Sequence, residues 1–219
     1  MSEFKNLVFD LDGTLIDSSS SILEGLRGAF AACGRLPAEP LAAELIGPPL
    51  GETLARLAAT EDEAVLRPLA EAFKAHYDSV GYRLTEVFPG VAEMLAALAA
   101  VGYPMFVATN KRLRPTLLIL HHLGWAPLFR GVHALDAFEP PLRDKSAMLG
   151  RILGIHGLAP AATLYIGDRD EDGAAAAANA MPFAWASWGY GGGRQATPPA
   201  WLRLHRPGDV QAQLAAAKR

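Results

Sequence analysis

The stretch Leu7-Val8-Phe9-Asp10-Leu11-Asp12-Gly13-Thr14-Leu15 restricts the fold of this chain more than any other. An apolar run stops at two aspartates one residue apart, followed by glycine and threonine. Phe4 to Phe9 reads as a buried parallel strand, with the carboxylates in the loop beyond its carboxyl end, where open α/β sheets place their ligands. Asp12-Gly13 between apolar runs also fits a hairpin turn. A calcium-binding EF-hand loop is excluded, because its sixth position needs glycine and its twelfth glutamate, and Leu15 and Ser21 stand there.

The rest of the chain supports the strand. With 219 residues, 51% of them hydrophobic, it is long enough to bury a sizeable core and too apolar to be disordered. Its formal charge of −3 comes without any basic block, which argues against a nucleic-acid polymer as partner. The single cysteine, Cys33, lies at helical spacing behind Ile22, Leu26 and Phe30 and reads as a small core residue. No apolar leader precedes the first strand and no apolar run approaches 18 residues, so the expectation is a soluble, cytoplasmic protein with no membrane partner.

After Leu15 comes a polar joint, Asp17-Ser18-Ser19-Ser20-Ser21. Ser21 and Glu24 have the spacing of a capping box opening a helix that buries Ile22, Leu26, Ala29, Phe30 and Cys33 and ends at Gly34. From Pro37 to Leu84 the pattern is helix and loop. It predicts a short helix over Leu41 to Ile46, a break at Gly47-Pro48-Pro49-Leu50, a helix over Glu52 to Ala59, and one carrying Leu69, Phe73, Tyr77 and Val80 with Pro68 in its first turn. Residues 17–84 therefore read as a small helical cap inserted into a core formed by 1–16 and 85–219. In that core, strand-like runs at Pro104 to Ala108, Val132 to Leu135, Thr163 to Ile166 and Phe183 to Ser187 alternate with helices, one starting at Lys145 and a last one capped by Asp209. Such alternation implies βαβ units and a doubly wound, Rossmann-like parallel sheet.

On that reading, polar groups from four places reach one edge of the sheet: Asp10 and Asp12, Thr109 with Asn110, Lys145, and Asp168 with Asp172. Singly, Thr109-Asn110 also fits a turn and Lys145 a solvated charge. Asp170 and Glu171 fit the first turn of a helix, and Arg169 is open between solvent and site. Together they are electrostatically constrained. Carboxylates about 4 Å apart repel by roughly 4 kcal/mol per pair at an effective dielectric near 20. A hard divalent cation relieves this, and all-oxygen ligands at strand ends suit Mg²⁺. Metal, lysine and hydroxyl then describe a phosphoryl site in which one carboxylate is free to attack phosphorus.

The motifs Asp10-x-Asp12-Gly13-Thr14, Thr109-Asn110-Lys111, Lys145 and Gly167-Asp168-x-x-x-Asp172 resemble, in order, the four motifs of the haloacid dehalogenase superfamily, and the helical insert resembles its small cap. The resemblance implies a phosphomonoester hydrolase acting on small phosphorylated metabolites. It implies Asp10 as nucleophile, Asp12 as general acid and base, Thr109, Asn110 and Lys145 as phosphate-binding, and Mg²⁺ held by Asp10, the backbone carbonyl of Asp12, and Asp168, with Asp172 close by. Dehalogenases of the superfamily lack the second aspartate, so Asp12 favours phosphate chemistry.

Substrate is less constrained. Ser146-Ala147 stands where phosphoglycolate phosphatases follow the lysine with Pro-x-Pro, and their usual glycine is absent from Ala178-Asn179-Ala180-Met181-Pro182. Gly47-Pro48-Pro49-Leu50 and Gly167-Asp168-Arg169 resemble a 5′-nucleotidase-like branch, while Trp188-Gly189-Tyr190-Gly191 is common to both. The expected substrate is a nucleoside 5′-monophosphate; 2-phosphoglycolate is the alternative, for which Arg56 or Lys74 would supply the cation. A phosphomutase and, remotely, a phospho-acceptor signalling domain are the other readings. The signalling domain is disfavoured by the insert and by Asp12.

Overall fold

The computed structural model describes residues 4–191, 198 and 200–216. Apolar runs become strands β1 (Asn6–Phe9), β4 (Met105–Thr109), β5 (Gly131–Ala134), β6 (Thr163–Gly167), β7 (Phe183–Ala186) and β8 (Leu202–Leu204), in one parallel sheet ordered β5-β4-β1-β6-β7-β8. The fold is the expected doubly wound α/β sheet. On one face pack α4 (Val91–Ala100), α5 (Leu113–His122) and α8 (Asp209–Ala216) through Leu95, Leu98, Ile119 and Val210. On the other pack α6 (Lys145–His156) and α7 (Asp170–Ala178) through Met148, Ile152, Ala175 and Ala176. The chain order reverses between β1 and β6, so the crevice beyond their carboxyl ends is the place for a ligand.

Two two-residue strands, β2 (Ile16–Asp17) and β3 (Glu86–Val87), pair antiparallel, Ile16 with Val87 and Asp17 with Glu86. Between them lie α1 (Ser19–Ala32), α2 (Leu50–Ala58) and α3 (Glu63–Tyr77). Their apolar stripes close on each other through Leu26, Phe30, Leu54, Leu57, Leu69 and Phe73, a core of its own. Each such side chain removed from water contributes about 1.5–3 kcal/mol.

Several local expectations are corrected. The Ser21–Glu24 capping box does not form: α1 starts three residues earlier, where the Asp17 carboxylate accepts from Ser19 N at 2.9 Å, and Ser21 is buried with its hydroxyl donating to Ser18 O. Pro68 lies inside α3, not in its first turn, because Asp62 caps the helix further upstream by accepting from Ala64 N. Leu41 to Ile46 keeps only a 3-10 turn over Ala43–Leu45, and Val80 lies beyond α3, exposed. β2, β3 and β8 are too short to carry a period and had no sequence signal. Gly192 and Gly193 of the glycine run fall outside the described residues.

Candidate active site

Asp10 ends β1, its amide still donating to Ile166 O of β6. The sheet register places Phe9 beside Ile166, so Asp10 and Asp168 leave adjacent strands at the same level. Gly13 turns the following loop with φ +86°, and a Cβ there would stand 2.4 Å from Asp168 Oδ2; only glycine lets the two loops approach this closely. Oxygens of Asp10, Asp168 and Asp172 lie within 4.8 Å of one another, and all three residues are buried.

Lys145, at the first turn of α6, joins the cluster, with Nζ 3.1 Å from Asp10 Oδ1 and 2.6 Å from Asp172 Oδ1. Tyr165 OH donates to the same Asp172 oxygen at 2.9 Å, and Arg169 N to the other at 3.0 Å. Asp168 Oδ2 accepts from Tyr190 N at 2.9 Å and Gly191 N at 3.3 Å, which explains the Trp188-Gly189-Tyr190-Gly191 stretch as a backbone cradle for this carboxylate. Two indoles fix the surrounding loops: Trp185 Nε1 donates to Asp168 O and Trp188 Nε1 to Thr14 O, each at 3.0 Å.

Three carboxylates around one ammonium leave an excess of negative charge. Burial raises Asp10 well above the usual carboxylate range; Lys145 opposes the rise, and Asp172 and Asp168 add to it. Asp168 is raised to about 6 by burial and then by Asp172. Lys145 is shifted upward: burial disfavours its charge, but Asp10 and Asp172 outweigh that. Buried, hard oxygen donors carrying uncompensated charge fit a small divalent cation such as Mg²⁺.

Asp12 sits apart from this trio. Its carboxylate accepts from Lys111 Nζ at 3.0 and 3.2 Å and from the Ser18 hydroxyl. Lys111 is the partner the sequence reading missed, and so is Ser18, which lies fully buried in what read as a linker. Lys111 also lies 4.7 Å from the centre of the Tyr77 ring on α3. Thr109, buried at the end of β4, accepts from Lys111 N at 3.1 Å. Asn110 reaches the insert, its Nδ2 donating to Gly47 O at 3.0 Å. Thus Asp10, Lys145, Asp168 and Asp172 are brought together, Asp12 is paired with Lys111, and Asn110 holds the insert's turn.

Next to Asp12, between sheet and insert, is a cavity of about 60 Å³ lined by residues including Ile22, Phe73, Tyr77, Asn110, Lys111 and Arg112. A wider groove of about 360 Å³ runs out past Lys145 between Pro48-Pro49 and Leu135. The cations expected from the insert are elsewhere: Arg56 is exposed and paired with Glu39, and Lys74 lines an outer groove.

Fold and site together define a doubly wound α/β protein with a carboxylate–lysine centre at its switch point and a helical insert over it. The chain belongs to the haloacid dehalogenase-like hydrolase family, whose model matches residues 7–186. It is 32% identical to the tyrosine-protein kinase PtkA of Mycobacterium tuberculosis over 84% of this chain, and it spans 62% of that relative's length. It is 29% identical to a 5′-nucleotidase of Pseudomonas aeruginosa, over 98% of this chain and 94% of that protein. Identity to a phosphoglycolate phosphatase of Xylella fastidiosa is 32%, over 85% of this chain and 81% of that protein. Among solved structures, the haloacid dehalogenase-like hydrolase SP0104 of Streptococcus pneumoniae superposes with a TM-score of 0.79 at 25% identity, covering 96% of this chain and 98% of that one.

Proposed function

We propose that the protein hydrolyses phosphomonoesters of small metabolites through a phosphorylated Asp10, with residues 17–84 as cap and 1–16 plus 85–219 as catalytic core. The observation that carries the reading is Lys145 bridging Asp10 and Asp172 at the switch point, with Asp12 two residues from Asp10 but outside the carboxylate trio.

An Asp10 oxygen attacks phosphorus and the bond to the leaving oxygen breaks, while Asp12 gives that oxygen its proton. Water then attacks the phosphorus of the acyl phosphate, Asp12 takes its proton, and Asp10 and inorganic phosphate are released. Lys145, with the Thr109 hydroxyl and Asn110, binds phosphoryl oxygens. Asp10, Asp168, the Asp12 carbonyl and, near them, Asp172 would hold Mg²⁺, which when bound neutralises charge on the phosphoryl group. Ser18 and Lys111 hold the Asp12 carboxylate in place.

The leaving group lies on the Asp12 side. The cavity there has room for only a few waters, which favours a small leaving group such as the glycolate of 2-phosphoglycolate. A nucleoside 5′-monophosphate is the second reading, favoured by the groove past Lys145 and by the length over which the 5′-nucleotidase relative aligns.

Phosphate release from a panel of esters with Mg²⁺ tests the reading. Activity should vanish on chelation and fall by orders of magnitude in Asp10→Asn. A tenfold higher kcat/KM for 2-phosphoglycolate than for AMP or UMP, about 1.4 kcal/mol, supports the small acid, and the reverse ratio supports the nucleotide. Transfer to a tyrosine peptide without release to water would overturn the hydrolase.

A further inference from the structure

Two features that the sequence left open, Arg169 and the Gly47-Pro48 turn, meet over the site. Asn110 follows β4 and Arg169 follows β6; β1, ending in Asp10, runs between these strands. Gly47 spans the gap. Its carbonyl accepts from Asn110 Nδ2 on one side, and on the other a Cβ at this residue would stand 2.6 Å from Arg169 Nε. Gly47 has φ +125°, so the turn is open to glycine for two reasons, backbone and space.

The guanidinium beneath this turn is enclosed but not satisfied. Arg169 Nε and Nη2 are buried and complete no hydrogen bond among the described residues, and neither does Asn110 Oδ1 opposite. The Tyr190 ring, 5.9 Å from Arg169 Cζ, offers only its face. Buried donors on a charged group without an acceptor are costly, and native proteins rarely keep them. Nε and one Nη form the edge of the guanidinium that grips two oxygens of a phosphate or carboxylate at once.

We propose that Arg169 clamps the phosphoryl group of the substrate, placing Nε and Nη2 on two of its non-bridging oxygens under the Gly47 turn. This rests on the phosphomonoester reading and adds a phosphate ligand from the loop after β6 to Lys145. A competing role is charge balance alone, since Arg169 opposes the upward shift of Asp168.

Inorganic phosphate, the product, is the probe. Its dissociation constant is measured by calorimetry with saturating Mg²⁺ for wild type, Arg169→Met and Arg169→Lys, alongside KM, kcat and the Mg²⁺ dissociation constant. A clamp predicts phosphate binding and KM weakened at least tenfold in Arg169→Met, with Arg169→Lys in between because it keeps charge but not the fork. Charge balance predicts tighter Mg²⁺ binding with phosphate affinity unchanged, which overturns the clamp. If wild type releases no phosphate from any ester, the hydrolase reading fails, while the calorimetric comparison still decides the clamp.

Discussion

Lys111 Nζ lies 3.0 Å from Asp12 Oδ1, and the pair is enclosed, with side-chain exposures of 7% and 12%. The ammonium caps the Asp12 carboxylate on the side of the insert, against the Tyr77 ring. Burial disfavours the charge on Lys111, but Asp12 and Tyr77 together outweigh it and the net shift is upward. Core and insert thus meet at the residue assigned to proton transfer.

Lys111→Met should destabilise the protein by about 3 kcal/mol, because it strands a nearly buried carboxylate. Asp12→Asn in the same chain should recover most of that loss, since the uncharged amide needs no counter-charge. Urea unfolding of both single variants and the double variant measures the coupling. Strictly additive losses would mean that the ion pair contributes nothing.

Asp12→Asn should slow hydrolysis of alkyl phosphates far more than that of p-nitrophenyl phosphate, whose leaving group needs little protonation. The measurement is kcat on the two ester types. Equal losses would remove Asp12 from the acid role.

Asp168→Asn should stabilise the metal-free protein at pH 8. Its carboxyl is raised from 3.8 to about 6, so the folded state binds more protons than the unfolded state between those values. Stability therefore falls as pH rises through that window and stays reduced above it, by at most about 3 kcal/mol. Thermal unfolding in chelator at pH 4.5 and 8 should show the variant's full advantage at pH 8 and only about a third of it at pH 4.5, with activity lost throughout. No gain at pH 8 would contradict the strain assigned to the cluster.

His133 on β5 and His156 at the end of α6 face each other, Nε2 to Nε2 at 3.0 Å. Burial, and then His156, lowers His133 from 6.5 to about 4. Between those values the unfolded chain binds the extra proton, so this group's contribution is intact above pH 6.5 and is lost as pH falls towards 4. His133 is only half-buried, so solvent screening limits the effect to about 1 kcal/mol. His133→Gln should flatten the wild-type decline in urea midpoint between pH 7 and 4.5, and parallel curves would refute it.

Ala180 takes a left-handed conformation, φ 52°, in the turn between α7 and β7. A Cβ in that region costs about 1–2 kcal/mol, and glycine returns part of the gain as unfolded-state entropy. Ala180→Gly should therefore raise stability by about 0.5–1 kcal/mol, read as a higher melting temperature. A lower one would show that the alanine methyl packs usefully.

The sequence by itself determined five of the six strands of the sheet and the residues that cluster beyond their ends. Parallel strands buried on both faces are written as apolar runs, and those ending in Asp10, Thr109 and Gly167-Asp168 are legible because their polar residues follow at once. Lys145 was legible from the order of motifs. What only the tertiary structure decided is how the insert closes on that centre. Lys111 meets Asp12 across 99 positions, and Arg169 lies against Gly47, contacts made by loops from different elements and set by how α1, α2 and α3 pack over the sheet edge. Periodicity reports which face of an element is buried but carries no information about which distant loop will cover it. For that reason Ser18 read as linker and Arg169 as undecided, while the packed structure places one on Asp12 and the other beneath the turn that roofs the site.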